Sequence, residues 1–411
     1  MLPAGKLADE VKRTIRSTAK GRFVQLLILM IAGGLTTMTG GVVAPVLPEM
    51  VQQLHLDPRW AGTLVSIHAL TSAAFTPIMG IVSDRIGKLK VMIPCLVLYA
   101  LAGVSTAFMT SMPLLLLSRG ILGAASGGVA AATIGFLGGM YEGETRSRIL
   151  GYATSIMTTS AIFFPVIGGW VGGIQWQYAF YLYGLGLPLA LVAVVCLKPK
   201  RTHSESLLGE NQTQQLGKIL RDSDILNLYL FLGAAALIVY AVVVYTPLYL
   251  KEAIGATPEL NGIVLAVRLV GAAIVSAFGA SRIGLHLGRS RAIAFGFSLM
   301  AITLVTIPFL TDLYLIFPTA ILFGAGFGII TPNLYDMLAA LSPSEFRATV
   351  LAIGTGFNSL GQFVSPVLLG PIWKYMGLPA VFYVAGAMAA LTSFLSFTLE
   401  KRMQTHPRSH N

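Results

Sequence analysis

Four ionisable side chains lie inside long apolar segments of this sequence, at His68, Arg119, Arg268 and Asp336. Histidine and aspartate can take up or release a proton, whereas arginine keeps its positive charge and can bind an anion. An ionisable group among lipid chains is costly unless it faces a partner or water, so each of the four is a candidate functional residue. The chemistry that this set offers is proton transfer and anion binding.

Each of these side chains also has a structural interpretation. Arg119 could snorkel outward from the start of its helix, His68 could be a hydrogen-bonded packing residue, and Asp336 could cap a helix end. His68 and Arg268 lie 200 residues apart, and Arg119 lies at a similar depth in its own segment. A cluster of cations in the outer half of a central cavity is therefore one expectation, and separate packing residues are the other.

The composition excludes a water-soluble globule. Of the 411 residues, 55% are hydrophobic and only 11% are charged, whereas a soluble domain keeps about a quarter of its residues charged. The net charge of +11 does not indicate nucleic acid as a partner, because the basic residues lie between apolar segments rather than in one patch. Cys95 and Cys196 lie inside apolar runs and are expected to be packing residues rather than a disulfide.

The apolar segments predict an all-α membrane protein with twelve transmembrane helices. A helix needs about 20 mostly apolar residues to cross a bilayer, and twelve runs satisfy this requirement. They cover residues 23–47, 60–82, 91–110, 112–140, 147–172, 176–197, 225–250, 260–284, 291–311, 313–340, 347–373 and 377–399. The lipid bilayer is therefore an expected partner.

The connections predict two bundles of six helices. Most connections are short, but residues 198–224 form a longer polar segment that we interpret as a cytoplasmic linker. It divides the chain into an N-terminal bundle at 23–197 and a C-terminal bundle at 225–399. Residues 1–22 form a basic N-terminal tail, which could be an amphipathic helix on the membrane surface or be disordered, and residues 400–411 form a second tail.

Lysine and arginine residues predict the orientation of the chain. Because the spans alternate in direction, all but five of the 28 lysine and arginine residues lie on the side of the two termini. Arg59, Lys251 and Lys374 lie on the opposite side, and Arg119 and Arg268 lie within spans. Cytoplasmic loops carry the excess of positive charge, so we expect a multi-pass protein of the plasma or inner membrane with both termini cytoplasmic.

The two bundles repeat one another at a shift of 201 residues. The coincident residues are Gly87-Lys88 with Gly288-Arg289, Lys90 with Arg291, Gly123-Ala124 with Gly324-Ala325, Glu144 with Glu345, Arg146 with Arg347, Pro165 with Pro366, and Gly169 with Gly370. Six spans return the chain to the same side of the membrane. We therefore expect parallel repeats related by an axis along the membrane normal.

The loop between the second and third spans, GIVSDRIGKLK, resembles the signature loop of the major facilitator superfamily, Gly-x-Leu-Ala-Asp-Arg-x-Gly-Arg-Lys. The matching residues are Gly80, Asp84, Arg85, Gly87 and Lys88, with Lys90 restoring a cation one place later. The pattern is broken at Val82, Ser83 and Leu89. The resemblance covers nearly the whole chain and implies two six-helix bundles that rock about a central site.

In that family the loop latches the two halves together on the cytoplasmic side in the outward-open state. Gly80 would let a neighbouring helix approach, Gly87 would allow a turn with positive φ, and Asp84 would accept hydrogen bonds from a helix N-terminus. The alternative is that the cations of the loop only determine topology. The repeat favours the latch, because Leu285 stands where the second copy would have the counterpart of Asp84.

Two further motifs add to the resemblance. In SRGILGAASGG, Arg119 is followed by Gly123, as in a family motif whose arginine takes part in proton coupling. In FPVIGG, Pro165, Gly168 and Gly169 resemble the Pro-x-x-Gly-Gly motif of drug/proton antiporters. The proline bends its helix, and the glycines let that helix press against the other half.

The resemblance implies a secondary transporter, a proton-coupled antiporter for multidrug efflux that exports small amphipathic molecules by alternating access. Such a transporter works as a monomer and needs no cofactor or metal. The sequence contains no Gly-x-x-x-x-Gly-Lys-Ser/Thr phosphate loop, so ATP is not the expected energy source. The first, fourth, fifth and seventh spans contain no acid, so His68, Asp336 and Asp84 are the candidates for carrying the proton.

The same residues also bear on other classes of function. If Arg119 and Arg268 both face the cavity, its positive field would suit an anionic metabolite, a siderophore or a lipid-linked solute. An intramembrane enzyme is not expected, because His68 has no nearby acid in the sequence and the spans hold no second histidine. A receptor is not expected either, since no sizeable soluble domain is present.

Aromatic and amide side chains could line the substrate pocket. The candidates are Gln25, Tyr152, Tyr229, Tyr240, Tyr245, Asn333, Tyr335, Phe357, Asn358 and Gln362. Asn358 and Gln362 lie one helical turn apart and share a face. Packing between helices with satisfied hydrogen bonds is the alternative for each of these residues.

Overall fold

The computed structural model describes residues 4–141, 143–197 and 210–405. These residues are almost entirely helical, and no strand occurs within them. Parts of the predicted N-terminal tail, linker and C-terminal tail lie outside the described residues, at 1–3, 198–209 and 406–411.

Twelve long helices account for most of the described chain. Their bounds are α1 Ala4–Gly41, α2 Thr63–Ile86, α3 Lys88–Ser105, α4 Met112–Met140, α5 Gly143–Gly172, α6 Trp176–Cys196, α7 Ser223–Ile254, α8 Pro258–Phe278, α9 Arg289–Thr306, α10 Leu313–Leu341, α11 Arg347–Met376 and α12 Leu378–Thr405. A 3-10 turn at Leu182–Leu185 interrupts α6. Shorter helical segments are Ala44–Val46, Leu47–Gln53, Pro58–Ala61, Thr106–Phe108, Glu210–Leu220, Ala280–Leu287 and Ile307–Phe309.

Eleven helices in the described chain are long and apolar enough to cross a membrane. They agree with eleven of the twelve predicted spans. The remaining span, predicted at 347–373, is α11, a helix of 30 residues. It is long enough, but Asn358, Gln362 and its glycine, serine and threonine residues make it less apolar than the other helices.

The first predicted span, 23–47, differs from the observed helix at both ends. Helix α1 begins at Ala4, inside the predicted tail, and ends at Gly41. Two short helices follow, with Pro45 and Pro48 in their first turns. A proline has no N–H to continue a preceding helix, so the long helix ends before the span does.

The helices run alternately between two ends of the molecule. At one end, which we call the Gly87 end, the turns before α3 and α9 contain Gly87 and Gly288, with φ angles of +106° and +85°. These angles are open to glycine without strain, as expected for Gly87. The opposite end, which we call the Asp57 end, carries the connection from α1 to α2 and the turns at Gly255 and Gly377.

The repeat is visible in the packing of α2 on α4 and of α8 on α10. A Cβ atom on Gly123 would lie 2.6 Å from the Cα of His68, and one on Gly324 would lie 2.9 Å from the carbonyl carbon of Arg268. Backbones approach closely at both glycines, as at other small-residue interfaces between membrane helices. The 201-residue sequence repeat therefore corresponds to a repeat of helix packing.

Cations hold the last turns of α4 and α10 at the Gly87 end. Lys88 Nζ donates a hydrogen bond to the carbonyl of Gly135 at 2.6 Å, and Arg347 Nε donates one to the carbonyl of Ala339 at 3.0 Å. Carbonyl groups at a helix C-terminus carry partial negative charge, so a nearby cation stabilises the helix end. Lys88 and Arg347 at this end therefore stabilise helix ends.

Candidate functional site

The two halves of the chain, α1–α6 and α7–α12, touch where α5 crosses α8. A Cβ atom on Gly262 would lie 3.0 Å from the carbonyl carbon of Pro165, and one on Gly169 would lie 3.0 Å from that of Pro258. Gly168 instead faces the segment that follows α1 in its own half. The Pro-x-x-Gly-Gly segment thus presents one glycine to each half.

A second crossing, related to the first by the repeat, joins α11 to the start of α2. A Cβ atom on Gly62 would lie 2.8 Å from the Cβ of Pro366, and one on Gly370 would lie 2.9 Å from the carbonyl carbon of Arg59. Pro366 and Gly370 are the repeat counterparts of the proline and second glycine in α5. The match of Pro366 and Gly370 with Pro165 and Gly169 at the 201-residue shift is the sequence feature that indicates this second contact.

Polar side chains also join the halves at the Asp57 end. Lys251 Nζ lies 3.1 Å from Glu49 Oε1, and Lys374 Nζ lies 2.7 Å from Asp57 Oδ2. The hydrogen bond from Lys374 lowers the pKa of the Asp57 carboxyl below its usual value. A lowered pKa means that this pair stabilises the structure above the ordinary aspartate pKa and is lost as the pH falls through the lowered one. The pair therefore persists at neutral pH.

Buried ionisable groups gather between the two crossings. His68 of α2 and Tyr240 of α7 meet at Gly40 of α1, where a Cβ atom would lie 3.2 Å from both His68 Nε2 and the Tyr240 hydroxyl. The charges of Arg119 and Arg268 both act on Tyr240, and that of Arg119 acts on His68. We call these four side chains, His68, Arg119, Tyr240 and Arg268, the central cluster. Gly40, which admits the contact, was not singled out from the sequence.

Two members of the central cluster have polar atoms without side-chain partners. His68 is 7% exposed and Arg268 is 5% exposed. Within the part of the chain that the structure describes, Arg268 Nε is buried and forms no hydrogen bond, and the buried His68 Nδ1 has no neighbour to bond with other than the backbone of Val65 in its own helix. Because an unpartnered buried polar group costs free energy, these atoms are the ones that a ligand or proton could satisfy.

Arg119, by contrast, is fully engaged within its own half. Its Nε donates to the carbonyl of Leu64 at 3.1 Å, one terminal nitrogen donates to the Tyr183 hydroxyl at 3.0 Å, and the other donates to the carbonyl of Thr39. The side chain is 1% exposed, so it does not snorkel to the surface. Arg119 thus ties α4 to α1, α2 and α6. Tyr183, its side-chain partner, was not singled out from the sequence.

The loop from Gly80 to Lys90 lies at the Gly87 end, apart from the central cluster. Asp84 and Arg85 are exposed. A Cβ atom on Gly80 would have no atom of the described chain within 4 Å. The predicted latch would form in a different state, in which the two halves meet at the Gly87 end. It therefore stays a prediction.

Asp336 also lies outside the central cluster. It belongs to α10, but its side chain is 56% exposed at the Gly87 end. Its Oδ2 lies 2.5 Å from a terminal nitrogen of the Arg289 guanidinium, so the two residues form an ion pair. Arg289 is the repeat counterpart of Lys88. Of the three candidates for carrying the proton, the structure places only His68 between the halves.

Most of the predicted pocket-lining residues form hydrogen bonds with neighbouring groups in the helices. Four of them bond to backbone carbonyls: Gln25 to Cys196 (3.0 Å), Tyr229 to Val350 (3.0 Å), Tyr245 to Pro366 (3.5 Å) and Asn333 to Ala280 (3.2 Å). Two further hydrogen bonds join side chains: Tyr335 with Thr355 (3.3 Å), and Gln362 with Asn358 (2.8 Å). Phe357 stacks on Tyr229, and Tyr152 is exposed. Tyr240 is the candidate of this set that belongs to the central cluster.

Long apolar helices, arranged as two repeated halves with buried ionisable side chains between them, define a multi-pass membrane protein. The chain belongs to the Major Facilitator Superfamily, whose family model matches residues 29–257 and 234–410. It is therefore a membrane transporter for small molecules.

Relatives share most of the length of this chain. The quinolone resistance protein NorA of Staphylococcus aureus (strain COL) is 23% identical over 376 residues, which cover 90% of this chain and 95% of NorA. The class G tetracycline resistance protein of Vibrio anguillarum is 28% identical over 367 residues, which cover 83% of this chain and 88% of that protein.

Solved structures confirm the predicted fold. The nucleoside transporter NupG matches with a TM-score of 0.79 and 12% identity, over 91% of this chain and 99% of its own. A bacterial homolog of the human lysosomal transporter Spinster, in an inward-facing and occupied conformation, matches with a TM-score of 0.78 and 14% identity, over 93% of this chain and 98% of its own.

Proposed function

We propose that this chain exports small amphipathic molecules, including drugs, in exchange for protons by alternating access. The observation that carries the proposal is the repeated crossing of α5 on α8 and of α11 on α2. These contacts run through glycine backbone, so they can close one end of the molecule and separate in another state while each half keeps its own packing. Two relatives are named for resistance to quinolones and to tetracycline, which supports a drug-like substrate, and removal of a drug from the cell is the direction of transport that would give resistance.

We further propose that the Gly87 end and both termini face the cytoplasm. The excess of lysine and arginine at that end supports this orientation. In the described state the crossings lie toward the Asp57 end, so the central cluster is closed to the outside. Release of an exported molecule then requires the halves to separate at the Asp57 end and to meet at the other.

We assign proton transfer to His68. Its ring is buried between the halves, and its Nδ1 has no side-chain hydrogen-bond partner in the described chain. Water reaches this ring only when the halves move apart, so proton exchange is tied to the state of the transporter. A general acid or base must be accessible to the proton that it exchanges.

Transport of ethidium by purified protein in proteoliposomes tests the proposal. We expect ethidium to move only when a pH gradient is imposed, and a protonophore to abolish the movement. His68→Ala is expected to lower gradient-driven transport by at least about tenfold, since proton transfer by a positioned side chain contributes that much or more. His286→Ala is the matched control, because His286 is exposed at the Gly87 end.

Two results would contradict these assignments. Wild-type transport that persists without a pH gradient would show that protons do not drive it. Equal transport by the two histidine variants would show that His68 is not the proton carrier.

Asp84→Asn tests the latch at the Gly87 end. Asp84 is exposed in the described state, so thermal unfolding of the variant in detergent should match that of the wild type. Transport is expected to fall about tenfold, because the state closed at the Gly87 end would lose a charged hydrogen-bond acceptor. Glu345→Gln, which neutralises an exposed acid at the same end, serves as the control. Unchanged transport in Asp84→Asn would refute the latch.

A further inference from the structure

Arg268 is a buried cation that helix packing does not satisfy. Its side chain is 5% exposed, and its Nε forms no hydrogen bond within the described residues. Its electrostatic neighbour is the Tyr240 hydroxyl rather than a carboxylate. A buried charge without a counter-charge is unfavourable, and it marks a place where an anion would be stabilised.

The repeat shows what a packing arginine looks like at this depth. Arg119 donates to acceptors on three other helices of its own half. Its counterpart at the 201-residue shift is Ala320, which leaves a small apolar cavity in the second half. Arg268 borders that cavity from α8, together with Val242, Leu265 and Phe323. The guanidinium of Arg268 therefore has apolar walls beside it and none of the cross-links that hold Arg119.

We propose that Arg268 and Tyr240 form a subsite for the acidic group, a carboxylate or sulfonate, of an amphipathic substrate. The guanidinium would pair with the acidic oxygens, and the Tyr240 hydroxyl would donate a further hydrogen bond. The cavity beside Arg268 is only about 30 Å³ and lies within the second half, so the apolar body of the substrate would lie outside it, between the halves beside Tyr240 and Gly40. This subsite rests on the proposed transport function, and it adds a preference for organic acids with an apolar body among the exported molecules.

The subsite adjoins the proton site without including the His68 ring. Tyr240 contacts the Gly40 position from α7 and also interacts with Arg268, so it lies between the two sites. A substrate acid at Arg268 and a proton at His68 would therefore occupy different positions.

A matched pair of dyes tests the subsite: a rhodamine that carries a free carboxylate, and the methyl ester of the same dye. Equilibrium binding to purified protein is measured by fluorescence polarisation, and transport is measured separately in proteoliposomes. We expect the wild type to bind the free acid at least about tenfold more tightly than the ester, because a charged hydrogen bond contributes roughly that factor. Arg268→Gln is expected to remove the preference while leaving ester binding unchanged, and Arg268→Lys to retain part of it.

Arg282→Gln is the matched control, because Arg282 is an exposed arginine on the short helix before α9. It should keep the wild-type preference. If the wild type binds the free acid no more tightly than the ester, the subsite is overturned. This comparison uses only the wild-type protein, so it does not depend on whether a variant folds. Equal losses of acid and ester binding in Arg268→Gln would also overturn it, by showing a packing role. Preference for the acid without gradient-driven transport would leave the subsite standing and refute the proposed export function.

Discussion

Gly169→Val is expected to lower transport by at least about tenfold. A Cβ atom at this position would lie 3.0 Å from the carbonyl carbon of Pro258 and 3.3 Å from the Cα of Glu259. Both are backbone atoms of α8, which cannot move aside as a flexible side chain can. Overpacking of this kind costs about 1–3 kcal/mol, and 1.4 kcal/mol is tenfold in a conformational equilibrium. The variant should therefore depopulate the state in which α5 crosses α8.

Gly151→Val in the same helix is the control, because a Cβ atom there would have no atom of the described chain within 4 Å. The readouts are dye transport and labelling of Asn261→Cys, in a background without Cys95 and Cys196, by a membrane-impermeant maleimide added outside. Asn261 is 1% exposed at the Asp57 end. Labelling should rise in Gly169→Val and stay low in Gly151→Val. Equal transport and labelling in the two variants would show that the α5–α8 contact does not govern the state.

The repeat extends this experiment to the second crossing. Gly370 approaches the backbone of Arg59, whereas Gly356, also in α11, has no atom of the described chain within 4 Å of a Cβ position. Because the two crossings are equivalent by the repeat, the pair Gly370→Val and Gly356→Val should reproduce the difference seen in α5. Two independent contacts with the same outcome would support rocking of two similar halves.

The fold was accessible from the sequence because its main determinants are local. Apolar runs of sufficient length must be helical in a bilayer, where each backbone polar group needs an internal partner. The turn at Gly87 was accessible for the same reason, since a glycine between two apolar runs permits positive φ. The span at 347–373 was predicted in the same way and is helical, whereas the ends of α1 differ from the predicted span at 23–47.

The arrangement of the central cluster was only partly accessible. Arg119 and Arg268 share a residue type and a similar depth, yet one is fully hydrogen-bonded and the other is not. Two of the three acceptors of Arg119 are backbone carbonyls, and every residue type carries a carbonyl. No sequence pattern therefore marks the partners. The meeting of His68 with Tyr240 likewise depends on how the two halves are placed.

Because Arg119 is fully hydrogen-bonded within its half, its substitution is expected to lower the stability of the protein strongly. Arg119→Leu is expected to lower the free energy of unfolding by about 3 kcal/mol or more, because it removes three buried hydrogen bonds that join α4 to α1, α2 and α6. Arg119→Lys should be nearly as damaging, since an ammonium lacks the planar fork that reaches several acceptors. Tyr183→Phe removes one partner and should cost about 1 kcal/mol. Thermal unfolding in detergent measures all three.

A purely structural role and a role in proton coupling predict different results at this residue. If Arg119 mainly ties its half together, transport per folded molecule of Arg119→Leu should keep its dependence on the pH gradient, even though little folded protein is recovered. If Arg119→Leu instead unfolds at the same temperature as the wild type but its transport no longer depends on the pH gradient, Arg119 takes part in proton coupling and the structural role is overturned. Arg282→Leu, an exposed arginine outside the cluster, controls for the loss of one positive charge. Arg119 has little capacity to bind a substrate, because each of its three nitrogen atoms already donates to a helix carbonyl or to the Tyr183 hydroxyl. Arg268 differs, because its Nε has no partner in the described chain and remains available.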